Sequence, residues 1–133
     1  MGAFTLALSA ELTAAGVARE RVRAHLTSVP EDQLDHVILA TSELVANAVL
    51  HGEGPVVVDV RPSPNVVHVE VTDRGTATPR IQRVHGVEED SGRGLHMVEL
   101  LSSRWGVTAA KPGPGKTVWF DVDRNVQPTA GSA

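Results

Sequence analysis

The chain is organised around residues 31–52, where apolar residues recur with a helical period. At about 100° per residue they fall on one arc, the pattern of a helix that packs against a core. This arc contains Leu34, Val37, Ile38, Leu44, Val45, Ala48 and Val49. Glu31 suits the positive end of a helix, and Gly52 is a candidate C-cap. The pattern therefore predicts one long helix over residues 31–52.

The opposite side of this predicted helix carries a row of polar side chains. His36, Glu43 and Asn47 lie within about 40° of one another around the helix axis. His51 follows one turn beyond Asn47. Asn can offer a neutral oxygen to a hard cation such as Mg²⁺, and Glu can take a proton from a nucleophile that attacks a phosphate. The row is either a solvated helix face or a binding site for a phosphate ligand with a divalent cation.

Alternation of apolar and polar residues predicts the β-strands. They are expected near residues 4–8, 56–61, 66–71, 107–110 and 116–122. The second and third strands flank a proline-rich turn of hairpin length, and each has one valine face and one polar face. One sheet face should therefore be covered by helices. The predicted fold class is α+β, a two-layer α/β sandwich with helices on one face of a mixed, mostly antiparallel sheet.

Two shorter helices and one irregular segment complete the prediction. Ser9 is a suitable N-cap for a helix over about residues 10–26, with Leu12 on its buried side. A second helix is expected over about residues 94–103. Residues 72–91 have no sustained periodicity, which indicates a functional lid or a disordered segment.

Length and composition limit the classes of protein that fit. A chain of 133 residues is the size of one domain, which we place at residues 1–124, followed by a disordered tail at 125–133. The net charge of −4 gives no general basic surface for nucleic acid or acidic lipid, and no cysteine is present for a disulfide or thiolate metal site. No apolar stretch has the form of a signal peptide or a membrane span, so a cytoplasmic protein is expected.

The end of the third predicted strand and the start of the fifth carry candidate residues for binding a flat base. Asp73 can accept a hydrogen bond from an exocyclic amine, and Gly75 lets the backbone approach the base closely. The hydroxyl of Thr117 could reach a base edge from the last strand. Each feature also has an ordinary explanation, because Asp-x-Gly forms tight turns and a Lys-Thr pair often begins a strand.

A glycine-rich segment offers candidates for phosphate binding. The run Gly92-Arg93-Gly94-Leu95 leads directly into a predicted helix. Such a start presents free backbone N–H groups and the positive end of the helix dipole to an anion. The alternative is a flexible hinge that binds nothing.

The order of these motifs is more specific than any one of them. A Glu-x-x-x-Asn helix is followed by a strand ending in Asp-x-Gly, a loose loop, a Gly-x-Gly helix start and a Gly-Lys-Thr strand. This order resembles the GHKL ATP-binding fold, or Bergerat fold, of gyrase, Hsp90, histidine kinases and MutL over nearly the whole chain. Residues 42–52, 90–95, 104–107 and 115–120 look like those of the small stand-alone anti-sigma-factor serine kinases, in the form common in actinobacteria.

The resemblance implies a role for each matching residue. Asn47 would hold a Mg²⁺ ion that bridges the ATP phosphates, and Glu43 would be the catalytic base for a substrate serine or for water. Asp73 would bind the adenine amino group, while the glycine-rich segment would close over the phosphates. The implied ATP-binding residues are Asn47, His51, Asp73, Gly75, Gly92, Arg93, Gly94, Leu95 and Thr117.

The resemblance also implies partners. The substrate serine would belong to an anti-anti-sigma protein of the STAS type, the other partner would be a sigma factor, and the chain would form a homodimer. Two other functions stay open: a nucleotide-dependent protein-interaction module without catalysis, and the ATPase half of a two-component sensor. Two departures from the family pattern favour nucleotide binding over turnover, because Ala77 replaces a glycine and Asp90 stands where some characterised kinases have a basic residue.

Overall fold

The computed structural model of the chain describes residues 2–75, 90–110 and 113–124, and for residues 90–94 it describes the main chain alone. Within these ranges the chain forms three helices and five strands. In chain order they are β1 (Phe4–Leu8), α1 (Ala14–His25), α2 (Glu31–His51), β2 (Val56–Pro62), β3 (Val66–Asp73), α3 (Asp90–Leu101), β4 (Arg104–Ala109) and β5 (Lys116–Asp123). Most of the predicted lid and all of the predicted tail lie outside the described residues.

The strands form one sheet in the order β1-β2-β3-β5-β4, and every neighbouring pair among the described strands is antiparallel. The face of the sheet under the helices is fully buried in the three central strands, at residues such as Val58, Val69 and Phe120. The residues between them are more exposed, because successive side chains in a strand point to opposite faces. The predicted α+β fold with helices on one face is confirmed, although the described sheet is antiparallel throughout and not mixed.

Helix α2 lies at the centre of the helical layer. It packs against both other helices and against β2, β3 and β5. It follows Pro30 and ends just before Gly52, so the prediction for residues 31–52 is accurate to one residue. The predicted apolar arc is buried or half-buried. Within the described residues, neither α2 nor another helix combines the length and apolar character that crossing a membrane requires.

Helix α1 is shorter than its sequence pattern suggests. It begins at Ala14 and not near residue 10, and Thr13, which precedes it, makes no side-chain capping bond. Ser9 is not the N-cap, because its carbonyl oxygen accepts a hydrogen bond from the N–H of Glu11 in a local turn. Leu12 lies in this turn region and is 85% exposed, so its predicted burial is wrong. The buried residues of the helix are Ala14, Ala18 and Val22.

Two later elements begin earlier than predicted. Strand β4 starts at Arg104, because its pairing with β5 already begins where Arg104 lies opposite Asp121. Helix α3 starts at Asp90 and not near residue 94. Both differences extend a predicted element without changing its place in the fold.

Candidate functional site

Helix α2 and strand β3 end side by side, and glycine makes their contact possible. Gly52 follows the last residue of α2, and its N–H donates to the carbonyl oxygen of Ala48 at 2.9 Å. Its φ of −96° is not left-handed, so the cap itself does not require glycine. Space requires it, because a Cβ at this position would lie 2.5 Å from Cγ of Asp73. The Asp73 side chain is therefore packed directly against the end of α2.

The carboxylate of Asp73 is almost completely buried, with the residue only 4% exposed. Its Oδ1 accepts hydrogen bonds from the Gly75 N–H at 2.7 Å and from Nζ of Lys116 at 3.0 Å. Two donors, one of them cationic, offset the cost of keeping a carboxylate away from water. An ionised carboxylate has acceptor sites on both oxygens, so Asp73 can still accept a bond from an amino group.

Three glycines pack closely against Asp73, two beside its carboxylate and one against its main chain. Gly115 has a φ of +129°, which side chains rarely adopt, and a Cβ there would overlap the main-chain carbonyl of Asp73. Gly75 lies against Gly52, since a Cβ on it would be 3.2 Å from the Gly52 Cα. The structure thus brings Asp73 and Gly75 together, as the sequence predicted. It adds Gly52 and Gly115, whose role depends on contacts between segments far apart in the chain.

The structure does not bring Thr117 to the Asp73 carboxylate. Asp73 lies opposite Lys116 in the pairing of β3 with β5, and Thr117 lies opposite Thr72. Because side chains alternate along a strand, Thr117 belongs to the sheet face that the helices leave open, where its hydroxyl is 2.7 Å from that of Thr72. The Thr117 side chain thus lies on the other sheet face from Asp73, and its base-edge role stays a prediction. Sequence reasoning missed Lys116, although the strand register would have placed it beside Asp73.

The polar row on α2 lies at the boundary between the helical layer and solvent. Glu43 and Asn47 are half-buried one turn apart, whereas His36 and His51 are exposed. The described residues contain no group of three or more His, Asp or Glu side chains that could hold a metal ion. A divalent cation at Asn47 would therefore take most of its ligands from phosphate and water, which is how proteins usually bind Mg²⁺.

Helix α3 carries the glycine-rich segment, but not as a loop before the helix. Gly92, Arg93 and Gly94 lie in its first turns, since the helix begins at Asp90. Leu95 is fully buried in the core, so its side chain packs and any contact with a ligand would come from its main chain. Because α3 packs on α2, the helix start and the polar row belong to one layer.

The site thus combines a buried carboxylate at a strand end with a half-buried Glu-x-x-x-Asn row, in a layer of helices on an antiparallel sheet. A family model described as the histidine kinase-like ATPase domain matches residues 8–121. The chain belongs to this family of ATP-binding domains, which implies that it binds a nucleotide.

Comparison with solved structures agrees on the fold. The histidine kinase domain of the blue-light-activated histidine kinase from Erythrobacter litoralis EL346 superimposes with a TM-score of 0.53 at 21% sequence identity. The match covers 86% of this chain and 61% of that one, so the chain spans less than two thirds of the other protein's length. A comparison with curated proteins gives no match.

Proposed function

We propose that this domain is a Mg-ATP-dependent protein serine kinase of the anti-sigma-factor type. It would phosphorylate an anti-anti-sigma partner of the STAS type, bind a sigma factor and so regulate transcription. The observation that carries the proposal is the arrangement of α2. Its half-buried Glu43 and Asn47 lie one turn apart, and its C-terminal end packs against the buried carboxylate of Asp73. Helix α2 would therefore lie beside the ATP phosphates at Asn47 and beside the adenine at its C-terminal end.

Each of these residues has a defined task in the proposed reaction. Asp73 accepts a hydrogen bond from the adenine amino group and sets the position of the nucleotide. Glu43 accepts the proton of the substrate serine as its oxygen attacks the terminal phosphorus and ADP departs with the bonding electrons. Asn47 would hold Mg²⁺, which when bound neutralises phosphate charge.

A protein substrate fits the surface beside Glu43. Leu39 and Leu50 are 38% and 53% exposed, and the helical period places both on the side of α2 next to Glu43. Exposed leucines beside a candidate catalytic residue favour a partner that covers them.

The same surface also suits the second candidate, a module in which ATP controls partner binding without phosphotransfer. Asp90 favours that candidate, because it puts an acidic residue at the start of α3, where the phosphates would lie.

Phosphotransfer from labelled ATP to a STAS-type partner tests the proposal. Glu43→Gln should lower the transfer rate by about 100-fold or more and leave ATP affinity nearly unchanged. Asn47→Ala should weaken Mg-dependent ATP binding by about tenfold or more. Asn65→Ala, in the turn between β2 and β3, is the matched control and should change neither.

The possible outcomes separate the candidates. A transfer rate that is unchanged in Glu43→Gln would show that Glu43 is not the catalytic base. ATP binding without transfer to any STAS-type partner, accompanied by nucleotide-dependent partner binding, would favour the interaction module. A wild-type protein that binds no ATP in calorimetry would overturn both.

A further inference from the structure

The ammonium group of Lys116 has no role in the proposed reaction, although it lies beside Asp73, where the adenine is proposed to bind. Lys116 is the first residue of β5 and lies directly opposite Asp73 in the strand register. Its Nζ is 3.0 Å from Oδ1 of Asp73, and its side chain is only 14% exposed. A lysine side chain usually keeps its charged end in water, so one that turns into a buried site needs an explanation.

We propose that Lys116 is a specificity-determining residue that contacts the nucleobase beside Asp73. Its Nζ donates a hydrogen bond to a ring nitrogen next to the adenine amino group, while Asp73 accepts a bond from that amino group. This inference rests on the proposed ATP binding and deepens it by naming the residue that recognises the base.

The backbone fixes Lys116 in this position. Gly115, with its positive φ, holds the start of β5 against the main chain of Asp73. Lys116 therefore projects from the same face of the sheet as Asp73, and its neighbour Thr117 projects from the other face. All the contacts named here lie between described residues.

The chemistry of the pair matches one edge of adenine. An ammonium group has three N–H donors, and Asp73 uses one of them. An acceptor and a spare donor then lie side by side in a nearly dry site. Adenine presents the complementary set, because its amino group is flanked by the acceptors N1 and N7. A buried donor that faces a base without the matching acceptor is left unpaired, and such a mismatch discriminates strongly between ligands.

A purely structural role for Lys116 makes a different prediction. A lysine that only neutralises Asp73 would affect every nucleotide alike. A lysine that contacts the base would affect only those nucleotides in which the contacted atom has changed. Analogues that differ from ATP by one ring atom therefore separate the two roles.

The decisive experiment is calorimetric titration of the wild-type protein with ATP, 1-deaza-ATP and 7-deaza-ATP in the presence of Mg²⁺. One analogue should bind about tenfold or more weakly than ATP, because it lacks an acceptor for a charged donor. The other should bind like ATP, and the difference identifies the edge that Lys116 contacts. Equal binding of all three overturns this inference and leaves the proposed function intact. A protein that binds none of them overturns both.

Variants assign the discrimination to Lys116. Lys116→Met keeps the length of the side chain without its donors, so ATP should weaken to the level of the sensitive analogue and their ratio should fall to about one. Thr108→Val, at an exposed position on the neighbouring strand β4, should keep the wild-type ratio. A Lys116→Met protein that keeps the wild-type ratio overturns the inference. Circular dichroism checks that each variant folds. If Lys116→Met does not fold, equal binding of all three nucleotides by the wild type still overturns the inference.

Discussion

Strands β3 and β5 carry a cluster of charged residues on each face of the sheet, and the two clusters differ in almost every other respect. On the face under the helices, the side chain of Asp73 is 4% exposed and is paired with Lys116. On the open face, His68 is bound to Glu70 and Asp121, and the three side chains are between 17% and 31% exposed. The same two strands thus hold one dry ion pair and one partly hydrated network.

The charged side chains around His68 on the open face are paired with one another. The two ring nitrogens of His68 lie 2.6 Å from Asp121 and 2.9 Å from Glu70, and the ring stacks on Trp119 at 5.7 Å. Arg104 donates to the other oxygen of Asp121. Each charged group therefore has its partner on the sheet surface itself. The glycine on this face, Gly106, makes room for the Trp119 ring and not for a carboxylate, because a Cβ there would lie 2.8 Å from the indole nitrogen. The two clusters therefore differ in burial and in the glycines that pack against the carboxylate, and not in the presence of charge.

The largest expected contrast is between the two aspartates. Asp73→Asn should lower the free energy of unfolding by about 3 kcal/mol, because it leaves the ammonium of Lys116 in a dry site without its counter-charge. Asp121→Asn should cost about 1 kcal/mol or less, since its partners His68 and Arg104 keep contact with water. Urea denaturation at neutral pH measures both. Equal losses would show that burial does not distinguish the clusters.

The second contrast concerns the space around Asp73. Gly52→Ala should cost about 2 kcal/mol and weaken ATP binding, because the new Cβ would overlap both Asp73 and the carbonyl of Ala48. Gly16→Ala is the matched control in α1, where the nearest atom to a Cβ is the end of the Arg19 side chain at 3.5 Å. It should stabilise the protein by about 0.5–1 kcal/mol, as expected in a helix. Thermal unfolding and ATP titration of both variants test the contrast, and a Gly52→Ala protein of wild-type stability would contradict it.

The elements and part of the site could be predicted because they depend on local pattern. The helical period gave α2 to within one residue, and valine alternation gave β2 and β3 with their buried and open faces. Asp73 and Gly75 were predicted as neighbours because they are two positions apart and the Gly75 N–H bonds directly to the Asp73 carboxylate.

The remaining features depend on contacts between distant segments. Lys116 meets Asp73 only through the register of β3 with β5, which the local sequence around Lys116 does not reveal. Gly52 was predicted as a C-cap, whereas its proximity to Asp73 is what excludes a side chain. The predicted burial of Leu12 is wrong for another reason. Hydrophobic periodicity does not show that a local turn replaces the first turn of a helix.

The smallest predicted effect is a pH dependence of the open-face network. Burial is the largest single influence on His68 and on its own lowers the pKa. The hydrogen bonds and charges of Glu70 and Asp121 together outweigh it, so the pKa of His68 is raised above its ordinary value of 6.5. Between these two pKa values the folded protein binds more protons than the unfolded chain.

This sign determines the direction of the pH dependence. The stabilisation from protonated His68 is complete below about pH 6.5 and is lost as the pH rises through the raised pKa of the folded state. The effect should be about 1 kcal/mol or less, because all three side chains keep some contact with water. Urea denaturation from pH 6 to pH 9 should therefore show declining stability in the wild type and a flatter profile in His68→Gln. His36→Gln, at an exposed position on α2, is the control and should keep the wild-type slope. A slope that survives in His68→Gln would mean that the open face does not contribute this pH dependence.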